Sequence, residues 1–177
     1  MKRSKLVALC AISTGFAILF LTAGVFIPIL DYSGIFMASL CTMIPLTKKS
    51  FKGGILTFLA TLCLSSIFFV GMKPEMVLTY GIFFGAHPAV SYILREKKVN
   101  NLLSMAIKTI WFVGSLLLIY TLFSAFLFED TLLNNEIFKK YAYLILSVVG
   151  AFVFVCYDLL ITHFQKALDK TIEKLKL

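Results

Sequence analysis

Three ionisable residues lie inside long apolar runs of this 177-residue chain: His87, Lys108 and Asp158. Charged groups within a membrane span are expensive to bury and mark candidate functional positions. His87 lies seven residues before Leu94, Lys108 seven after Asn101, and Asp158 five before His163. At ~1.5 Å of rise per residue, each sits roughly 7–11 Å in from the same side of its run. The shared depth predicts a polar layer in which Lys108 and Asp158 neutralise each other and His87 bonds to either. Such a layer can serve as a structural ion pair between two helices, or as a relay for a cation or proton. Lys108 can also snorkel to the interface by itself. A second set, Asp31, Tyr32, Glu75, Tyr80, Glu129 and Asn134, gathers with Lys73 and Asp130 at the opposite ends of the runs. These are the groups able to line a substrate-binding mouth, with Phe26, Phe68, Phe69 and Phe83 as its apolar wall.

Catalytic signatures are missing. The chain has no H-E-x-x-H, no G-x-S-x-G, no P-loop and no acidic pair on a helix face. Neither His87 nor His163 has an acidic or nucleophilic neighbour at a catalytic spacing. The expectation is a protein that is not an enzyme and needs no cofactor. Cys10, Cys41, Cys63 and Cys156 all fall within apolar runs, with no C-x-x-C and no histidine at ligand spacing. They predict small buried hydrophobes, neither disulfides nor a metal site.

The elements that must position these residues are six apolar stretches, at roughly 6–30, 32–47, 54–71, 75–94, 102–128 and 141–164. About 20 helical residues span a hydrocarbon core of ~30 Å. With 60% hydrophobic residues and no strand-like alternation, the chain reads as an all-α, polytopic membrane bundle of six transmembrane helices. It forms a single transmembrane domain over 1–177. The basic residues define an orientation. Lys2, Arg3 and Lys5, then Lys48, Lys49 and Lys52, then Arg95, Lys97 and Lys98, and finally Lys166, Lys170, Lys174 and Lys176 lie on one side. Lys73, Lys139 and Lys140 lie on the other. Basic loops stay cytoplasmic, so both termini are expected inside. This asymmetry, with attraction to anionic membrane lipid, accounts for the net charge of +8 without nucleic acid as a partner. The first run exceeds a secretory h-region and precedes no A-x-A-like site, so it is expected to be a retained helix.

Small residues mark close helix approach. The first helix carries Ala8, Ala11 and Gly15, with Ser13 and Ala17 as a second pair, and the fourth carries Gly81, Gly85 and Ala89. The latter face is expected to pack internally. Pro28 bends the end of the first helix. Pro88 leaves the carbonyl of Phe84 without its usual donor, a group tolerated at membrane depth only against protein or a wet cavity. The loop from Glu129 to Lys140 suits a short amphipathic segment over the outer mouth. The tail over 165–177 reads as an amphipathic cytoplasmic extension of the sixth helix, resting on the membrane or docking a partner.

In this layout the chain resembles the substrate-binding S component of energy-coupling factor vitamin transporters. Those proteins carry an A-x-x-x-A stripe in the first helix, where this chain has Ala8, Ala11 and Gly15. A short turn, Ile29-Leu30-Asp31-Tyr32-Ser33-Gly34, and a basic inner loop, Lys48–Gly54, match the same architecture. The resemblance covers the whole chain, with Gly15 departing from strict alanine and no vitamin-specific motif. It implies a substrate-capture subunit of a vitamin or micronutrient transporter in the bacterial cell membrane. The outer loops would close over a small-molecule substrate. The stripe of Ala8, Ala11 and Gly15 would meet a transmembrane coupling subunit driven by separate ATPase subunits. The alternative is a non-catalytic scaffold subunit of a bacterial envelope or cell-shape complex, which would fill the outer space with side chains.

Overall fold

The computed structural model describes residues 3–127 and 136–174, with side chains described over 4–123 and 141–167. Among these residues there is no strand. The helices are α1 (Arg3–Phe26), α2 (Asp31–Thr47), α3 (Phe51–Phe69), α4 (Pro74–Thr79), α5 (His87–Glu96), α6 (Asn101–Leu127) and α7 (Glu136–Lys174). A 3-10 turn, Pro28–Leu30, precedes α2, and a π-helical turn, Tyr80–Phe84, joins α4 to α5. Among the described residues six segments are long and apolar enough to cross a membrane: Ser4–Phe26, Pro28–Thr47, Phe51–Phe69, Pro74–Glu96, Asn101–Phe123 and Tyr141–Ala167. The chain is an all-α, multi-pass membrane protein. The fourth span is composite, built from α4, the π turn and α5. The sixth span lies within α7, which runs on without a break to Lys174.

The helices group into two compact units, Met1–Val99 with Leu160–Leu177, and Asn100–Leu159. The first unit is organised by the pairing of α1 with α2. Gly24 and Gly34, both buried, let these two backbones touch. A Cβ on Gly34 would lie 2.6 Å from the Phe20 carbonyl oxygen and 3.2 Å from Gly24 Cα. Around this seam Ala17, Leu21, Val25, Ile35, Ala38 and Cys41 form a core with Met76, Val77 and Tyr80 from the fourth span. α3 turns a ladder of Gly53, Thr57, Thr61, Ser65 and Phe69 inward, a strict four-residue repeat. Its apolar residues Leu56, Leu59, Leu64 and Ile67 face outward, as a helix in lipid allows. The Gly81 and Gly85 face packs on α3: added Cβ atoms would sit 2.8 Å from Leu62 Cδ1 and 2.6 Å from the Phe58 ring. That is the internal packing the sequence leads one to expect.

Both α2 and α5 end on a lysine in the left-handed region, Lys49 at φ 54° and Lys98 at φ 51°. Glycine is the usual residue there. A lysine at a helix C-terminus is compensated by the negative end of the helix dipole. Ser50 starts α3 by accepting from the Gly53 amide at 3.2 Å.

The second unit pairs α6 with the first part of α7. Phe112 stacks on Phe154 with ring centroids 5.3 Å apart, and Tyr120 meets Tyr143 edge to face at 5.5 Å. Gly150 lets the helices close, since a Cβ there would lie 2.7 Å from Leu116 Cδ2. α6 bends at Phe123, whose φ of −128° and ψ of 21° leave the helical region.

Two glycine substitutions separate this packing from an open face. Gly34→Ala should destabilise the protein by about 1–3 kcal/mol, because the clash is with backbone. Gly15 has nothing within 4 Å of an added Cβ. Gly15→Ala should therefore stabilise by about 0.5–1 kcal/mol through helix propensity. Unfolding of the detergent-purified variants measures both, and an equal loss at the two positions would contradict the packing described.

Candidate functional site

Lys73 holds together the end of the first unit that lacks basic loops. Its Nζ donates to Asp31 Oδ1 at 2.5 Å and reaches the Gly24 carbonyl oxygen at 3.5 Å. One ammonium thereby ties the end of α1, the start of α2 and the turn before α4. It is also favourably placed to satisfy a carbonyl near a helix C-terminus. Asp31 is thus engaged by protein. Tyr32 is exposed, and its hydroxyl lies within the electrostatic range of Asp31, Glu75 and Lys73. Among the described residues Glu75 makes no ion pair. Tyr80 stands apart from these three: it is fully buried in the core of the unit, its ring 6.2 Å from that of Phe58. Glu129 and Asn134 lie outside the described residues, as does most of the loop to which they belong.

Lys108 and Asp158 meet inside the second unit. Lys108 Nζ donates to Asp158 Oδ1 at 2.5 Å, and the two side chains are only 8% and 11% exposed. The geometry is that of a neutralised pair linking α6 to α7. His87 belongs to the first unit, where it is fully buried. Its ring packs on Phe83 at 5.1 Å, and Nε2 lies 3.4 Å from the Ser91 hydroxyl.

Pro88 raises the question of the Phe84 carbonyl, and α2 answers it. Ser39 Oγ donates to that oxygen at 2.7 Å. The proline break is therefore closed by protein. The π turn immediately before it is sealed by a bond from the Gly85 amide to the Tyr80 carbonyl at 2.7 Å.

The small residues of α1 divide by face. Ser13 and Ala17 are fully buried, and Ser13 bonds back to the Leu9 carbonyl at 2.8 Å. Ala8, Ala11 and Gly15 are exposed. They leave a shallow lane along a helix whose other side is committed to α2 and α3.

Two polar features were not singled out from the sequence. The hydroxyl ladder of Thr57, Thr61 and Ser65 has a legible signal, a polar residue at every fourth position of an apolar run. The other is a clamp within the first unit. With its carboxamide oxygen turned toward Arg95, Gln165 accepts from both terminal guanidinium nitrogens at 2.7 and 3.2 Å. Arg95 also covers the Tyr92 ring at 5.8 Å. No local spacing announces that contact. Among the described residues no group of three or more His, Cys, Asp or Glu is arranged to hold a metal ion; the four cysteines are free thiols, of which Cys10 and Cys41 are buried as expected while Cys63 and Cys156 are exposed on outward helix faces.

The chain matches no known protein family, no curated protein and no solved structure.

The Lys108–Asp158 pair has a clear energetic signature. Replacing either partner with an apolar residue strands a buried charge, a loss of about 3–5 kcal/mol, whereas removing both is close to neutral. A double-mutant cycle with Lys108→Met and Asp158→Leu, followed by unfolding in detergent, should therefore show a double variant more stable than either single one. Losses that add would show two independent groups.

Proposed function

We propose that this chain is the substrate-capture subunit of an uptake transporter of the energy-coupling factor type, taking up a vitamin or similar micronutrient across the cell membrane. The observation that carries the reading is the exposed lane of Ala8, Ala11 and Gly15 on α1. Small residues let two helix backbones approach, and van der Waals packing is the main source of association energy in lipid. In the first unit those on the inward face of α1 are used, while those of the lane stay outward. The lane thus fits a transmembrane helix of a coupling subunit, itself driven by separate ATPase subunits because this chain carries no nucleotide-binding motif. The protein would act by binding rather than catalysis.

The orientation proposed places both termini and the basic turns in the cytoplasm. Asp31, Tyr32 and Glu75 then stand at the external end of the first unit. Substrate would be met there, where an exposed tyrosine and a carboxylate that makes no ion pair among the described residues can hydrogen-bond it.

A reporter fused after Leu177 or inserted near Lys97 should read cytoplasmic, and one near Asn134 external. An external signal at Lys97 would remove the orientation. Function is tested by Ala11→Trp and Gly15→Trp, which thicken the lane. They should abolish uptake and co-purification with the coupling subunit while leaving unfolding temperature and ligand binding by the isolated chain nearly unchanged. Unimpaired assembly in both variants would sink the proposal, and the scaffold reading would then require a partner that tolerates them.

A further inference from the structure

Hydroxyl groups in membrane helices normally satisfy themselves by bonding back to a carbonyl one turn earlier. This chain follows the rule widely. Thr22 bonds to Ile18, Ser66 to Leu62, Thr109 to Met105 and Ser115 to Trp111, each at 2.8 Å. Ser65, on the inward ladder of α3, bonds to Leu62 at 3.0 Å. Thr57 and Thr61 on that same ladder break the pattern. Both are 0% exposed, and among the described residues neither hydroxyl finds a partner at full hydrogen-bonding geometry. The carbonyl one turn before Thr57, that of Gly53, accepts from Cys10 Sγ at 3.5 Å. Tyr80, also 0% exposed, brings a third hydroxyl short of such a partner.

Two of these oxygens share one buried face of α3, and the third lies beside one of them. Thr57 and Thr61 are four apart on one helix face, so their side chains stand roughly 6 Å apart. The Tyr80 hydroxyl interacts with that of Thr61, though the contact falls short of full bonding geometry. Tyr80 is delivered to this place by the π turn that it opens, a rare element found mostly at functional sites. An isolated buried hydroxyl is strongly disfavoured. Two such hydroxyls on one face of α3, where Ser65 and Ser66 are satisfied locally, with a third from the π turn beside Thr61, describe a receptor for a group that both donates and accepts hydrogen bonds.

We propose that Thr57, Thr61 and Tyr80 form a binding site inside the first unit for a small, uncharged hydrogen-bonding group. The three hydroxyls carry no charge, so an anion or cation would be poorly compensated there, whereas an amide, a hydroxyl or water suits them. The site is separate from the external end of the unit and does not depend on the transport reading. Its occupant is either part of a captured molecule or internal water, which share this chemistry.

Thr57→Val, Thr61→Val and Tyr80→Phe each remove one hydroxyl and nearly preserve shape. If the hydroxyls hold a bound group, each variant lowers the unfolding temperature of the purified chain, by ~3–6 °C for each tenfold loss in stability. The triple variant loses less than the sum, because the three share one occupant. Thr57→Ser, which keeps the hydroxyl, retains the wild-type coupling to Thr61 and Tyr80. Native mass spectrometry of the detergent-released protein separates the sources. A co-purifying mass lost in Thr57→Val identifies a captured molecule, and the same stability losses with no such mass identify water. The proposal is overturned if the variants are neutral or more stable than wild type. It is equally overturned if coupling is confined to Thr61 and Tyr80 with Thr57→Val neutral, since those two would then pair only with each other.

Discussion

A bilayer interior offers no water, and every polar group placed there must find its partner within protein. Much of this structure follows from that constraint. The proline at position 88 removes a backbone donor, and Ser39 on α2 supplies the replacement to the Phe84 carbonyl. The only charged side chains buried among the described residues, Lys108 and Asp158, neutralise each other. Most span hydroxyls bond back along their own helix. Lys73 closes the end of α1 and the start of α2 with one ammonium. Where, among the described residues, the constraint is not fully met, at Thr57, Thr61 and Tyr80, it becomes informative.

The same medium removes the usual driving force between helices, because lipid is as apolar as a leucine side chain. Close backbone approach takes its place. α1 shows both uses of it. Toward α2, Gly24 and Gly34 bring the main chains into contact, and Ala17 fills the seam. Along the other side Ala8, Ala11 and Gly15 present the same kind of surface with nothing within 4 Å of Gly15. A helix with one small-residue face occupied and one left open is suited to holding its own fold while meeting a second membrane protein. That is the physical core of the capture proposal.

Spans and pairings differ in how plainly the sequence carries them. Six apolar runs predict six spanning segments because backbone satisfaction forces them into helices, and the depths of Lys108 and Asp158 point to their pairing. Boundaries shifted where turn geometry intervened: α1 stops at Phe26, and Pro28–Leu30 forms a 3-10 turn before α2 begins at Asp31. The π turn was invisible, since an i to i+5 bond at Tyr80 has no simple residue code. It is why a tyrosine near the end of a run lies in the core and not with Tyr32 and Glu75. The Gly24–Gly34 seam joins two helices and therefore has no spacing within either. Arg95 with Gln165 is likewise a contact between distant residues. The α3 ladder was readable as a four-residue polar repeat, but only its burial gives that repeat meaning.

If this chain is a capture subunit, the lane of α1 meets another membrane protein in the cell. A leucine-sized diazirine amino acid in place of Ile12, a large exposed residue beside the lane, tests this directly in native membranes. The expected result is a crosslink to one separate transmembrane protein that itself co-purifies with ATPase subunits, and no such crosslink from buried Leu21. Crosslinks from position 12 to lipid or to this chain alone would overturn the capture proposal.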